Sequence, residues 1–431
     1  MLFSQSVFAT GIGIVIGFVN ASMLGPSGKG DFYLLTLLPV TIVVLLQLGL
    51  PTSLSYYVAR GQALGTVRKS IILTVALCVP AGVLAALLIP VWQSSFLRGL
   101  PSEQIVLAIL VLPLAYNATL TTGILLGRQS VQWYSLVNVV QSLVSIVLFV
   151  GLVGVLGLGV VGALLAYLLH SCIGTVGWFV GARRAVARVR DATSVSYDAL
   201  FRYGLPYYPG SLTQFFSLRL DIFLLAFLLA DPSAPIGFYS MAVTIAGLVF
   251  FLPNAVSTLF FPHVAGSDRA DADRQVPMVS RVTLLMTGSL AITLVPIAIV
   301  LIHVLLPAFD QSLPPLFVLL PGVVALSLTK VLSSYVAGVG MTGATSKVNV
   351  SALLVNIVAN LVFIPLFGIM GAALASLISY TYSSIVFSVM ASRLTGTGVP
   401  DFWVPRAADA HYTVSTSMSM MRRLRRRASA T

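Results

Sequence analysis

The sequence predicts an all-α polytopic membrane protein, with about twelve transmembrane helices in two pseudo-symmetric six-helix bundles around a central cavity. Three observations carry this prediction. Of 431 residues, 58% are hydrophobic and only 8% are charged, against roughly a quarter charged in soluble domains. The apolar residues gather in runs long enough to cross a hydrocarbon core of ~30 Å. The chain also repeats itself: Pro26-Ser27 followed by Phe32-Tyr33 returns 206 positions later as Pro232-Ser233 followed by Phe238-Tyr239.

In order, the spans lie near 2–24, 33–59, 70–92, 103–127, 131–155 and 158–181, then near 203–230, 236–262, 278–307, 314–340, 347–367 and 369–392. The first lacks the basic start and small-residue cleavage site of a secretory signal, so it is expected to be retained. Pro51 in span 2 and Pro253 in span 8 stand late in their helices and precede polar residues. A proline frees a carbonyl one turn back, which makes both positions expected kinks and hinge or gate candidates. Span 5 carries Asn138, Gln141, Ser142 and Ser145, and span 11 carries Asn349, Asn356 and Asn360. Both sets follow helical spacing and read either as interhelical hydrogen bonding or as the wall of a hydrated cavity. Spans 6 and 12 open on matched runs of small residues, Gly159 to Ala166 and Gly368 to Ala375, which let helix backbones approach closely. A repeat of six spans sends both copies across the membrane in the same direction, related by an axis along the membrane normal. The expected divisions are 1–181 for the first bundle, 182–202 for a basic linker, 203–392 for the second bundle and 393–431 for a disordered basic tail.

Charge sets the orientation. Of the 24 Lys and Arg residues, those between spans sort to alternate loops, and the opposite loops hold only Lys29 and Arg98. By the positive-inside rule both termini are cytoplasmic, in a multi-pass cell membrane protein. The net charge of +12 is accounted for loop by loop on one membrane face, so the expected contact is anionic lipid at the cytoplasmic surface and not nucleic acid. Cys78 and Cys172 stand singly inside spans and are expected to pack as small apolar residues.

Catalytic chemistry is missing. There is no phosphate-binding glycine loop, no HExxH, no CxxC and no nucleophile elbow, and the single glutamate, Glu103, stands at a span boundary. No enzyme activity, metal site or cofactor is expected. What remains is a sparse set of ionisable groups inside spans. Span 7 holds Arg219 and Asp221, each costing ~2.5 to 3.5 kcal/mol to insert at mid-membrane. Ser211, Gln214, Ser217 and Asp221 share one helical face, and Arg219 points well away from it. Lys330 in span 10 shares a face with Ser327 and Ser334, and His170 stands alone in span 6. The cavity candidates are therefore Arg219, Asp221, Gln214, Lys330, Asn138, Gln141, Asn356 and Asn360.

Several stretches together resemble one family. They are Leu24-Gly25-Pro26-Ser27-Gly28-Lys29-Gly30-Asp31-Phe32, the segment from Gly49-Leu50-Pro51 to Ala59-Arg60, Arg219-Leu220-Asp221, and Ile236-Gly237-Phe238-Tyr239 through Leu252-Pro253-Asn254 to Phe261-Pro262. The chain to about Arg393 is similar to the polysaccharide transporter branch of the multidrug, oligosaccharide-lipid and polysaccharide (MOP) exporter superfamily. The resemblance implies a flippase for lipid-linked saccharides that works by alternating access between its halves. It also implies coupling to a proton or sodium gradient as an option, and other polysaccharide-assembly membrane proteins as potential partners. Gly61-Gln62-Ala63-Leu64-Gly65 is similar to the multidrug and toxin extrusion (MATE) branch, so a cation-coupled drug antiporter is the alternative. A membrane glycan polymerase or ligase is a third reading, disfavoured because the outer loops are too short for a catalytic surface.

Overall fold

The computed structural model describes residues 2–187, 193–266, 268–406 and 409, with side chains from residue 15 onward except at 131. Apart from an isolated bridge between Leu64 and Ser194, its regular structure is helical among the described residues. The helices are α1 (Leu2–Leu46), α2 (Leu50–Ala59), α3 (Thr66–Leu87), α4 (Ile89–Ser94), α5 (Ser102–Leu110), α6 (Leu112–Gly127), α7 (Val131–Phe149) with a π-helical extension Val150–Val155, and α8 (Gly159–Ala187). They continue with α9 (Tyr197–Gly204), a 3₁₀ turn Leu205–Tyr207, α10 (Tyr208–Leu228), α11 (Ser233–Gly266), α12 (Arg269–Leu305), a 3₁₀ segment Pro307–Ser312, α13 (Leu313–Gly338), α14 (Thr342–Phe367), α15 (Ile369–Thr395) and α16 (Pro400–Trp403).

Among the described residues, 11 helical stretches are long and apolar enough to cross a membrane. The first of them belongs to α1, which Gly25 breaks with a φ of 66°. That conformation suits a residue without Cβ, and an added Cβ there would meet nothing within 4 Å, so the demand for glycine is conformational and not steric. The break divides α1 into the first two expected spans, so each of the twelve segments read from the sequence has its helix. The protein is a multi-pass membrane protein.

Two details differ from expectation. Lys29, assigned to a loop, lies within α1 and is only 6% exposed. Pro51 does not kink a continuous helix. The chain breaks before it, with Leu48 at φ 47° and Gly49 at φ 73°, and Pro51 stands in the first turn of α2, where its missing N–H is harmless. The carbonyls freed at the end of α1 accept hydrogen bonds from Tyr208 Oη (Leu45 O, 2.6 Å) and Tyr116 Oη (Leu46 O, 3.2 Å). By contrast α11 runs on through Pro253 to Gly266. The two prolines are matched in sequence and unmatched in structure.

The chain packs as two compact units, Met1–Thr244 with Leu305–Ser312, and Ile245–Val304 with Leu313–Thr431. The boundary read from the repeat, at the linker, therefore does not coincide with the packing boundary. Span 7 and the start of span 8 belong to the first unit for identifiable reasons. Arg98 donates to the carbonyls of Phe227 (3.2 Å) and Leu229 (3.4 Å) at the end of α10, a favourable place for a cation. Phe96 packs against Phe223 and Phe227. At the end of α9, which leads into α10, Gly49 and Gly204 meet so closely that a Cβ on Gly49 would lie 2.0 Å from the Gly204 carbonyl oxygen.

Within the first unit a buried cluster joins Leu50, Leu54 and Val58 of α2 to Leu112, Tyr116, Leu120 and Ile124 of α6 and to Leu200 of α9. Helix α8 presents Gly174, Gly177 and Gly181 to Gln141, Val137 and Trp133 of α7, small residues at helical spacing that bring the two backbones together. In the second unit, Phe260, Val264, Leu328, Val331, Tyr335, Phe387 and Phe402 form the core.

The expectation of a disordered tail from 393 does not hold for its described part. Phe402 is fully buried, Trp403 Nε1 donates to Ser388 Oγ at 2.9 Å, and Arg281 of α12 holds Asp409 through two hydrogen bonds of 2.6 and 3.1 Å. Two aromatic rings and one carboxylate thus find partners that the apolar-run pattern did not reveal. Linker residues 188–192 and the arginine run from Arg422 lie outside the described residues.

Candidate functional site

Glycine close-packing assembles the site. The two copies of the repeated signature lie against each other in the first unit: a Cβ on Gly30 would fall 1.7 Å from the Ser233 carbonyl oxygen, and one on Gly237 would fall 2.0 Å from that of Pro26. This contact carries Tyr33 and Tyr239, the last residues of the two signatures, to α10. Arg219 donates from Nη1 to Tyr33 Oη, and its guanidinium lies 5.4 Å from the centre of that ring. Tyr239 Oη donates to Asp221 Oδ2 at 2.7 Å. The repeated tyrosines therefore divide the two charges of span 7 between them, one bonding the cation and the other the anion. The two charges, on different faces of span 7, are thus bonded by residues that the sequence marked only as a repeat.

Beside Tyr33 the first unit carries an open cavity of about 320 Å³. The two parts of α1 supply Ile16, Asn20, Phe32, Tyr33, Thr36, Leu37 and Val40, α7 supplies Ser145 and Phe149, α8 supplies Tyr167 and His170, and α10 supplies Arg219. The lining is apolar with a few convergent polar groups, as in small-molecule sites generally. No carboxylate is among these residues. Phe32 stands edge-on to both Phe149 (5.5 Å) and Tyr167 (6.2 Å), which makes an aromatic wall. His170 Nδ1 donates to the Gln141 carbonyl at 3.1 Å, and Gln141 Nε2 returns a bond to the His170 carbonyl at 3.1 Å. That pairing fixes the tautomer and leaves Nε2 as an acceptor. Asn20 is 8% exposed, and its Oδ1 has no hydrogen-bond partner.

The remaining candidates are placed elsewhere. Gln141 links α7 to α8, and Asn138 donates back to the Tyr134 carbonyl of its own helix at 2.8 Å. Neither lines the cavity, although Ser145 of the same stripe does. In the second unit Asn360 donates to Asn356 O (2.9 Å) and Oδ1 (3.1 Å), with both residues buried. Gln214 is exposed on α10. Lys330 lies 5.0 Å from the Phe250 ring in the second unit. Sequence reasoning missed Asn20, Tyr33 and Tyr167 as site residues. Asn20 was detectable as a lone amide inside an apolar run, and Tyr33 as the end of a repeat signature. Among the described residues no cluster of His, Cys, Asp or Glu could hold a metal ion.

Residues 1–266 match the family model described as polysaccharide biosynthesis protein. The probable low-salt glycan biosynthesis flippase Agl15 of Haloferax volcanii is 20% identical over 392 residues, 89% of this chain and 81% of that protein. The probable flippase AglR of the same organism is 27% identical over 174 residues, which span 39% of this chain and only 36% of AglR. Among solved structures, the lipid II flippase MurJ in an inward closed conformation superposes with a TM-score of 0.75 at 15% identity, covering 93% of this chain and 89% of that one. An inward-facing MATE multidrug resistance transporter of the MOP superfamily gives 0.65 at 19% identity, covering 90% and 96%. By a match over more than half its length, this chain belongs to the polysaccharide biosynthesis protein family, and its fold is that of the MOP transporters.

Proposed function

We propose that the protein is a flippase that moves a lipid-linked oligosaccharide or polysaccharide precursor from the cytoplasmic to the outer leaflet by alternating access. The observation that carries this reading is Arg219. It stands in a membrane-spanning helix, lines the open cavity of the first unit and is oriented by Tyr33 through one hydrogen bond and its ring face. A guanidinium has several N–H donors in a planar fork, and those not used by Tyr33 can bind phosphate oxygens in a bidentate way that lysine cannot reproduce. A lipid carrier joined to its saccharide through phosphate presents that group. Family membership and the names of the Haloferax relatives support the same substrate class.

The reading includes cytoplasmic termini, anionic lipid at the cytoplasmic face, transport without covalent chemistry and operation beside other polysaccharide-assembly membrane proteins. A proton or sodium gradient would supply the driving force. The drug antiporter alternative draws on the MATE fold, but an organic cation calls for a carboxylate in its site, and the residues lining the cavity offer a cation instead. Lys330, with its amine over Phe250, is a second anion contact under this proposal.

Export of the saccharide by wild type, Arg219→Lys, Arg219→Leu and Tyr33→Phe tests it. Arg219→Leu is expected to fold and fail to export, Arg219→Lys to export weakly, and Tyr33→Phe to lose part of the rate because the guanidinium is less well oriented. Normal export by a well-expressed Arg219→Leu protein would remove the observation on which the reading stands.

A further inference from the structure

Two features of the first unit are absent from the lining of the cavity. One is the segment Leu305–Ser312, which packs with the first unit although the chain on either side of it, α12 up to Val304 and α13 from Leu313, belongs to the second. The other is Lys29, buried in α1. The two meet. In a 3₁₀ helix three residues make a turn, so Leu306, Phe309 and Ser312 fall on one face. These are the buried members of the segment, at 4%, 1% and 0% exposure, and the others are exposed. Phe309 stands edge-on to Phe238 at 6.1 Å, and the Lys29 amine lies 5.4 Å from the centre of the Phe309 ring. The segment is thus a strap, seated in the first unit by one apolar face and continuous at both ends with helices of the second.

The seat is poorly satisfied. Among the described residues Lys29 makes no ion pair, and its amine donates to Met241 Sδ at 3.1 Å, a weak acceptor. Asp31, two positions along the same helix, points to another side, and Asp310 of the strap is exposed. The Ser312 hydroxyl, fully buried, has no partner. A lysine taken out of water without a carboxylate is costly, and a ring face returns only part of that cost. An apolar side chain of the same length would hold the strap better, since exchanging buried charge for well-packed apolar volume is often stabilising. We propose that Leu305–Ser312 is a releasable strap. Its apolar face seats it in the first unit, Lys29 keeps the seat weak enough to be left, and the strap unseats during each transport cycle, which returns the Lys29 amine to water. Because its ends run directly into α12 and α13, any displacement of those helices against the first unit pulls on it. The proposal rests on the flippase reading for the transport cycle and adds to it a conformational element that controls the cycle.

The first arm of the test needs no substrate. In full-length protein purified in detergent, with Cys78 and Cys172 replaced by alanine, single cysteines Gln311→Cys and Ser312→Cys are labelled with a maleimide. Gln311 is exposed and its cysteine should react at once, whereas Ser312→Cys is expected to react slowly and to completion as the strap unseats. Lys29→Met keeps the length of the side chain and removes its charge. It is expected to slow the Ser312→Cys labelling about fivefold or more, to raise the melting temperature, and to slow export of the saccharide in cells at equal expression. Phe309→Ala should speed the labelling about tenfold or more, with Phe309→Leu in its place if the alanine variant does not fold. Faster labelling and a lower melting temperature in Lys29→Met would show that Lys29 holds the strap down, and the proposal would be wrong. A Ser312→Cys that never reacts in the folded protein, or export by Lys29→Met at the wild-type rate, would overturn it equally. Wild type that exports no lipid-linked saccharide would instead strike the flippase reading, and the labelling would still decide whether the strap releases.

Discussion

Replacing Gly30 or Gly237 by alanine tests the packing that assembles the site. Both glycines lie inside helices, where alanine normally stabilises by ~0.5 to 1 kcal/mol. Here the new Cβ would lie 1.7 Å from the Ser233 carbonyl oxygen at Gly30 and 2.0 Å from that of Pro26 at Gly237. Contacts under 3.0 Å do not occur for real Cβ atoms, so the backbones must separate by at least 1.3 Å in the first case and 1.0 Å in the second. Neither obstacle is a flexible side chain that could swing aside. Overpacking of this kind costs ~1 to 3 kcal/mol, which offsets the helix-propensity gain and leaves each variant destabilised by up to about 2.5 kcal/mol. Because one displacement relieves both clashes, the double variant should lose less than the sum of the two. Thermal unfolding in detergent, followed by size exclusion, reads the effect. Gly210→Ala and Gly247→Ala are the controls, since an added Cβ at either meets nothing within 4 Å, and they should be neutral or slightly stabilising. If Gly30→Ala and Gly237→Ala proved as stable as those controls, the two signature segments would not be in backbone contact, and the reasoning that places Tyr33 and Tyr239 would fail.

Tyr239→Phe removes the 2.7 Å bond to Asp221 and should destabilise by ~1.5 to 3 kcal/mol, the range for hydrogen bonds to charged groups; an unchanged melting temperature would show that Tyr239 does not support that carboxylate. Asp409→Ala should cost about 3 kcal/mol, because it leaves the buried Arg281 guanidinium without a carboxylate and with the Asp401 carbonyl as its remaining acceptor, and limited proteolysis should then cut near Phe402. The hydrogen bonds from Arg281 hold the Asp409 carboxyl below the usual carboxylate range. The stabilisation is therefore fully present above pH ~4 and is lost as pH falls through the lower folded value, so protease resistance of the tail that declined between pH 8 and 6 would contradict the pair. Single cysteines at Ser27, Ser102 and Gln311 should label from outside intact cells, and those at Gln129, Ser196 and Asp268 should not. All six positions are exposed, whereas Ser312 is fully buried and unsuited to labelling, and a reversed pattern would invert the direction of transport.

Composition and periodicity alone established the membrane class, the helical architecture, the span count and the repeat, because a hydrocarbon solvent leaves the backbone few options and marks each span with a long apolar run. They also singled out Arg219, since a full charge in such a run stands out against its neighbours. The polar stripes were legible as stripes but not as functions. Asn356 and Asn360 bond to each other and Gln141 bridges two helices, because a polar side chain between helices can be satisfied by any nearby backbone or amide, and spacing cannot tell which. Only the tertiary structure decided that Tyr33 bonds Arg219 while Tyr239 bonds Asp221, that Asn20 lines a cavity, that Lys29 is buried and that span 7 packs with the first unit. Each of these depends on contacts between residues far apart in the chain, and the placing of the two tyrosines depends on how closely Gly30 and Gly237 let two backbones approach. A pattern read along one helix carries no information about that distance.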